Sequence, residues 1–273
     1  MRFVAKTNFS AQADRTQEKP MTVKELYEKF DNRIPSELSE PWDNDGLMCS
    51  PDTSTEVERV LIALDVTEDV VDYAIFSHFD LIISHHPLIF KPLTAVTEEN
   101  HVARKVIKLL ENGVSVFSFH TRADKVSGGV NDRLCDRLGL YNTSPFGEGF
   151  LGRVATLEEQ YELEDFVYKV KQALGADSIR YSDAFNPVQR IAVVGGDGKG
   201  YVEAAIAEGA DTYISGRIGY NVMEEAAEMG INLIEAGHFF TEQPVTEFFR
   251  ETLDEFCSDI YVEILDSNTI KVI

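Results

Sequence analysis

Several scarcities narrow the reading before any motif is considered. Cysteine is rare: Cys49, Cys135 and Cys257 are odd in number, scattered and without C-x-x-C spacing. That excludes a disulfide framework and a zinc knuckle, and suits reduced thiols. No apolar run approaches the roughly 18 residues of a membrane span. The first twenty residues are polar and lack the apolar centre of a secretory signal. The expected location is therefore the cytoplasm, with residues 1–20 a loose tail ahead of the helix that opens at Met21. Basic residues are also few, 25 Lys and Arg against 47 Asp and Glu, for a net charge of −22. This argues against nucleic acid as the main partner, because phosphate binding needs a basic surface. The acidic excess is compatible with bound cations, although most of it is expected on solvated helix faces.

What is present is an ordinary globular composition, 44% hydrophobic and 26% charged over 273 residues, enough for two modest domains or one large one. The stretch Leu81-Ile82-Ile83-Ser84-His85-His86-Pro87 stands out. Three aliphatic residues read as a buried parallel strand, and Pro87, with no N–H to donate, stops the ladder. Two adjacent histidines at a strand end point in different directions, and neutral imidazole is the commonest protein metal ligand.

The rest of the chain alternates strands and helices. Thr22-x-x-Glu25 is a capping box opening a helix with Val23, Leu26, Tyr27 and Phe30 at helical spacing. Trp42-Asp43-Asn44-Asp45-Gly46-Leu47 reads as a turn with a buried Trp. A strand over 60–65, a helix around Val70 and Ala74 and the strand at 81 form a β-α-β unit with a right-handed crossover. Further strands are expected over 114–119, 153–156, 190–194, 212–215, 231–236 and 261–265, with helices between them. Residues 195–200, Gly-Gly-Asp-Gly-Lys-Gly, precede a helix holding Val202, Ala205 and Ile206 inward. They could cradle a phosphate but lack the P-loop ending, and a plain tight turn is the simpler reading.

The chain also repeats itself. Residues 59–84 and 190–215 align without a gap: Arg59 meets Arg190, Ala74 meets Ala205, Asp80 meets Asp211 and Ser84 meets Ser215. After each copy, and with one insertion, a strand end delivers His-x-x-x-acid, His120 with Asp124 and His238 with Glu242. Where the first copy has His85-His86, the second has Gly216-Arg217. The expected fold class is therefore α/β, two similar halves from an internal duplication, each a mixed, largely parallel sheet flanked by helices. The first domain is placed over 21–127 plus 240–273 and the second over 128–239, with one composite site between them.

Four of the six histidines, His85, His86, His120 and His238, fall at strand ends beside Asp124 and Glu242. Ligands of α/β sheets collect at the carboxyl ends of strands. Imidazole and carboxylate without thiolate suit zinc, iron or manganese. Five or six such ligands exceed what one catalytic zinc needs and suit a two-metal centre. His78 and His101 have no partners and are read as ordinary surface or hydrogen-bonded residues.

In order and spacing, Trp42-Asp43-Asn44-Asp45-Gly46-Leu47, Ser84-His85-His86-Pro87, His120-Thr121-Arg122-Ala123-Asp124, Gly128-Gly129-Val130-Asn131 and Gly237-His238-Phe239-Phe240-Thr241-Glu242 resemble the GTP cyclohydrolase I type 2 proteins, also called Nif3-like or dinuclear-metal-centre hexameric proteins. The resemblance covers nearly all of residues 21–273. It implies two divalent metal ions per subunit on His85, His86, Asp124, His238 and Glu242, with His120 in a supporting or proton-shuttling catalytic role. It also implies a toroidal homohexamer, a trimer of dimers, and the short form of the family, without a domain inserted between the halves. The activity it implies is a metal-dependent hydrolase acting on a nucleotide or related heterocycle, such as GTP ring opening with formate release. The alternative is a non-catalytic metal-binding, metal-delivery or partner-recruiting scaffold.

Overall fold

The computed structural model describes residues 20–273; the expected tail over 1–20 lies outside the described residues except for Pro20. The first half runs α1 (Val23–Arg33), β1 (Gly46–Cys49), β2 (Arg59–Ala63), α2 (Glu68–Phe76), β3 (Leu81–Ser84), α3 (His101–Glu111), β4 (Ser115–Ser118), α4 (Thr121–Lys125) and α5 (Val130–Leu138). The second runs β5 (Ser144–Phe146), β6 (Gly152–Tyr161), α6 (Leu163–Leu174), β7 (Arg180–Ser182), β8 (Val188–Asp197), α7 (Val202–Ala207), β9 (Thr212–Arg217), α8 (Tyr220–Glu224), α9 (Ala226–Met229), β10 (Asn232–Glu235) and α10 (His238–Glu242). The chain then returns through α11 (Val245–Phe256) and β11 (Tyr261–Ile264) to the first sheet.

That sheet has the order β1-β4-β3-β2-β11, and the other β5-β6-β8-β9-β10-β7. The first is parallel at every pairing except β1 with β4. The second is parallel only at its centre, β8-β9-β10, and antiparallel toward both edges. The chain is thus α/β with two mixed sheets between helices, as the alternation of patterns predicts. Successive strand residues enter opposite cores. Val60 and Ile62 pack with Leu26 and Phe30 of α1 and with Phe248 and Phe249 of α11; Leu61 and Ala63 pack with Val70, Val71 and Val106 of α2 and α3. In the second sheet Ile191 and Val193 face α5 and α6, and Ala192 and Val194 face α7 to α9. At α1 the Thr22–Glu25 capping box forms in both directions. Ile206 differs from its expected inward position: it lies on the exposed side of α7.

The duplication extends to individual hydrogen bonds. Asp80 Oδ2 accepts the N–H groups of Glu58 and Arg59, both at 2.9 Å. Asp211 does the same for Gln189 and Arg190, the bond from Arg190 being 2.7 Å. Each aspartate thereby ties the start of one parallel strand to the start of its neighbour and helps set the register. The repeat continues into β4 and β10, where Phe119 N–H donates to Ser84 and Ala236 N–H to Ser215. In this frame α4 begins at Thr121 and α10 at His238. Thr121, not His120, is therefore the counterpart of His238, and the two His-x-x-x-acid motifs are one residue out of step.

Asp80→Ala and Asp211→Ala each leave two backbone donors without their carboxylate. Each is expected to lower stability by about 1–3 kcal/mol, read as a shifted midpoint in urea unfolding followed by circular dichroism. Unchanged midpoints for both would contradict the clamp.

Candidate metal centre

Every predicted ligand sits just beyond the carboxyl end of a parallel strand. His85 and His86 follow β3, whose end is anchored when His86 N–H donates to the Leu64 carbonyl at 3.0 Å. His120 follows β4 and caps α4, which carries Asp124. After β10, Gly237 at φ +91° turns the chain into α10, which carries His238 and Glu242. The six side chains meet. Ligand atoms of His85, Asp124 and Glu242 lie within 4.8 Å of one another, as do those of His86, His238 and Glu242, and those of His85, His86 and His120. Glu242 belongs to two of these groups. His78 and His101 are exposed and belong to none.

The imidazoles are oriented from behind. His85 Nδ1 is 2.9 Å from the Phe119 carbonyl, His86 Nδ1 2.7 Å from Asp65 Oδ1, and His120 Nδ1 2.9 Å from Asp43 Oδ1. Each Nδ1 donates its hydrogen to that acceptor, so each Nε2 presents its lone pair when the ring is neutral. Glu242 Oε2 lies 2.9 Å from His238 Nε2 and 3.0 Å from His86 Nε2. These contacts are short but off the line a hydrogen bond requires, and Glu242 Oε2 and His85 Nε2 are buried without a hydrogen-bond partner. Orphaned buried polar atoms are costly. A nest of acceptors aimed at common points is what a divalent cation satisfies, and the donor set fits zinc, iron or manganese.

The protonation pattern has the same cause. Burial pushes the fully enclosed His85 down, outweighing the pull of Glu242. Burial opposes charge on His86 as well, but Asp65 and Glu242 hold its pKa up at about 10. Burial would raise Glu242, yet its contacts with His238, His85 and His86 hold it well below the carboxylate range. Asp124 is pushed well above that range by burial and then by the charge of Glu242. Asp43 resists the upward effect of burial because His120 and Thr121 donate to it, and it stays below the ordinary value.

The second half supplies clearance. Gly195 and Gly196 form a bulged end of β8 directly against α10. A Cβ on Gly196, at φ +65°, would stand 2.0 Å from Glu242 Oε1. A Cβ on Gly216 would meet Thr241 Oγ1 at 2.5 Å and the His238 backbone at 2.8 Å. This explains the asymmetry of the repeat: the position matching His85 must be glycine for α10 to approach. The expected glycine turn over 195–200 therefore starts inside a strand, and it is no phosphate cradle. Gly195 N–H donates to Asn131, Gly196 N–H to Thr241 and Gly198 N–H to the Arg217 carbonyl. The helix that follows is only six residues long.

Other functional positions were not evident in the sequence. Asp65 lies just past the carboxyl end of β2 and could have been found by the strand-end rule that finds His85. Asp43 lies in the Trp42 motif, read as a turn; its side chain is fully buried and also accepts from Thr121 Oγ1 at 2.6 Å. Trp42 itself is not buried. It is 62% exposed, because it stands at the mouth of the cleft over the site, 6.2 Å from Phe90 and 6.3 Å from His120 between ring centres.

Two outcomes follow from this geometry. A metal ion at His86 Nε2, whose pKa is held up at about 10, must displace a proton, so apparent metal affinity should rise about tenfold per pH unit as pH increases from 6 to 9; pH-independent uptake in a competition titration would contradict this. Gly196→Ala should strip metal by elemental analysis while leaving the circular dichroism spectrum folded; full metal content would show that the Gly196 clearance is not needed.

A family model described as Duf34/NIF3 (NGG1p interacting factor 3) matches residues 21–271. A protein of Clostridium acetobutylicum named GTP cyclohydrolase 1 type 2 homolog is 35% identical over 242 residues, covering 86% of this chain and 90% of that one. One of the same name from Lactococcus lactis is 35% identical over 247 residues, covering 88% and 93%. The alignment with the Bacillus subtilis homolog runs to 368 positions at 24% identity, more than this chain has, so that relative carries a segment absent here. Among solved structures, Staphylococcus aureus protein SA1388 superposes with a TM-score of 0.84 at 28% identity, covering 93% of this chain and all of that one. Reduced HcgD from Methanocaldococcus jannaschii gives 0.78 at 28%, covering 90% and 98%. With the match running over nearly its whole length, the chain belongs to the Duf34/NIF3 family.

Proposed function

We propose that the protein is a dinuclear metal-dependent hydrolase acting on a nucleotide or a related heterocycle. The observation that carries this reading is Glu242, one buried carboxylate shared by two clusters of ligand atoms under an open cleft of about 520 Å³. One ion would be held by His85, Asp124 and Glu242 and the other by His86, His238 and Glu242. When bound, such ions supply Lewis acidity and a water activated near neutral pH.

The chain's own residues supply the rest. His120 borders the cleft with its Nδ1 held by Asp43, leaving Nε2 to accept a proton from an attacking water and return it to a leaving nitrogen. Asp43 positions that imidazole and offsets its charge while it carries the proton. Trp42 and Phe90 form the aromatic side of the cleft, where a planar ring can rest. The relatives named GTP cyclohydrolase 1 type 2 homolog make purine ring opening with formate release the first reaction to assay. The assembly proposed with this activity is a toroidal homohexamer, a trimer of dimers. Large exposed aromatics such as Phe76 and Phe185 are consistent with surface to be covered. Light scattering should return six chains, and a monomeric mass would contradict the assembly.

Glu242→Gln should lose both metals and at least about a hundredfold of any hydrolysis. Wild-type metal content in that variant would refute the shared role. Metal-replete protein that opens no purine or pterin ring would favour the metal-delivery or scaffold reading.

A further inference from the structure

Three acceptors orient the imidazoles of the centre, and two of them are fixed by plain means. The Phe119 carbonyl behind His85 is backbone. Asp43 behind His120 is fully buried and receives both the N–H and the hydroxyl of Thr121, at 3.0 and 2.6 Å. Asp65 behind His86 is different. Its side chain is 39% exposed, and a carboxylate just past a strand end turns to water unless something holds it. What holds it is Ser267, and one hydroxyl makes both bonds. Ser267 Oγ accepts the Asp65 N–H at 3.1 Å and donates to Asp65 Oδ2 at 3.3 Å, while Oδ1 faces His86 Nδ1 at 2.7 Å. Bridging the backbone and the carboxylate of one residue fixes its rotamer, and only a group that both donates and accepts can do so.

Strand register puts Ser267 there. β11 lies at the edge of the first sheet and pairs in parallel with β2, from Tyr261 opposite Arg59 to Ile264 opposite Ile62. The Leu265 N–H continues the ladder to the Ile62 carbonyl at 2.8 Å. Ser267 and Asp65 are 202 positions apart, the same offset as every pair of that ladder. A slip of one residue would bring Asp266 to this point, a second carboxylate that repels the first. Burial marks the same residue. Among the described residues from Tyr261 onward Ser267 alone is buried, at 6% exposure, although it is polar and its neighbours Asp266 and Asn268 are not enclosed.

The geometry points to Ser267 as a positioning residue of the metal centre, an inference that rests on the two-metal reading above. Through Asp65 it turns the His86 imidazole toward the place shared with His238 and Glu242, and it makes that place depend on the seating of β11. Partners behind a ligating histidine set its ring orientation and its strength as a ligand. His85 takes its orientation from the Phe119 carbonyl instead, so losing the Ser267 hydroxyl should weaken one ion and spare the other. The last strand of the first sheet thereby does more than close an edge: it completes one of the two ligand sets.

Full-length wild type, Ser267→Ala and Ser267→Thr would be titrated with zinc by calorimetry, with circular dichroism as the check on folding. Crystal structures of the metal-free forms would show the Asp65 rotamer directly. Ser267→Ala should weaken one of two zinc ions about tenfold and leave the other at its wild-type affinity. In its metal-free structure Asp65 should have turned away from His86. Ser267→Thr keeps the hydroxyl and should restore both the zinc affinity and the rotamer. Wild-type affinity for both ions in Ser267→Ala, both ions weakened alike, or Asp65 still seated on His86 in that variant would each overturn the proposal. Wild-type protein that takes up fewer than two zinc ions would instead overturn the two-metal reading, and the Asp65 rotamer would still decide the role of Ser267.

Discussion

The structure depends on keeping one carboxylate, Glu242, ionised although its side chain is almost wholly buried at the floor of the cleft. A buried charge without compensation costs several kcal/mol, and here the compensation comes from imidazoles at the ends of strands in both halves. Holding Glu242 there imposes further conditions. The helix that carries it must start on a left-handed glycine, the neighbouring strand must pass without a side chain at Gly196, and the next must do so at Gly216. The histidines must keep their Nε2 atoms turned inward, which Asp65, Asp43 and the Phe119 carbonyl enforce.

The duplicated frame therefore divides its labour. Both copies keep the same strand pairing and the same aspartate clamp, since both must build a parallel core. They part at the strand ends. The first copy places His85 and His86 where the second has Gly216 and Arg217, so one supplies ligands and the other supplies room for the helix bearing His238 and Glu242. A site made from two halves in this way needs both to be folded, and α11, whose Phe248 and Phe249 are buried against α1 and β2, fastens the chain's return to the first sheet.

Much of this was legible in the sequence because it rests on local pattern. Buried strands such as Leu81-Ile82-Ile83 announce themselves by composition, and the spacing from Asp80 to Asp211 carries the repeat. The polar edge strands over Ser144–Phe146 and Arg180–Ser182 have no such signature, because their pairing partners create them. The same limit hid Asp43, an ordinary turn acid until His120, distant in sequence, docks on it. The expectation that Trp42 is buried follows from its chemistry and fails because the cleft leaves it exposed at the mouth. The glycines at 195 and 196 read as a turn because glycine usually marks one; here they extend a strand past a carboxylate that tolerates no Cβ.

The most direct test of the account is anomalous diffraction from crystals grown with zinc or manganese. Two peaks per chain are predicted, one beside His85 and Asp124, the other beside His86 and His238, with Glu242 between them. A single peak, or metal that avoids Glu242, would contradict the claim that this carboxylate joins two ions and, through them, the two halves of the fold.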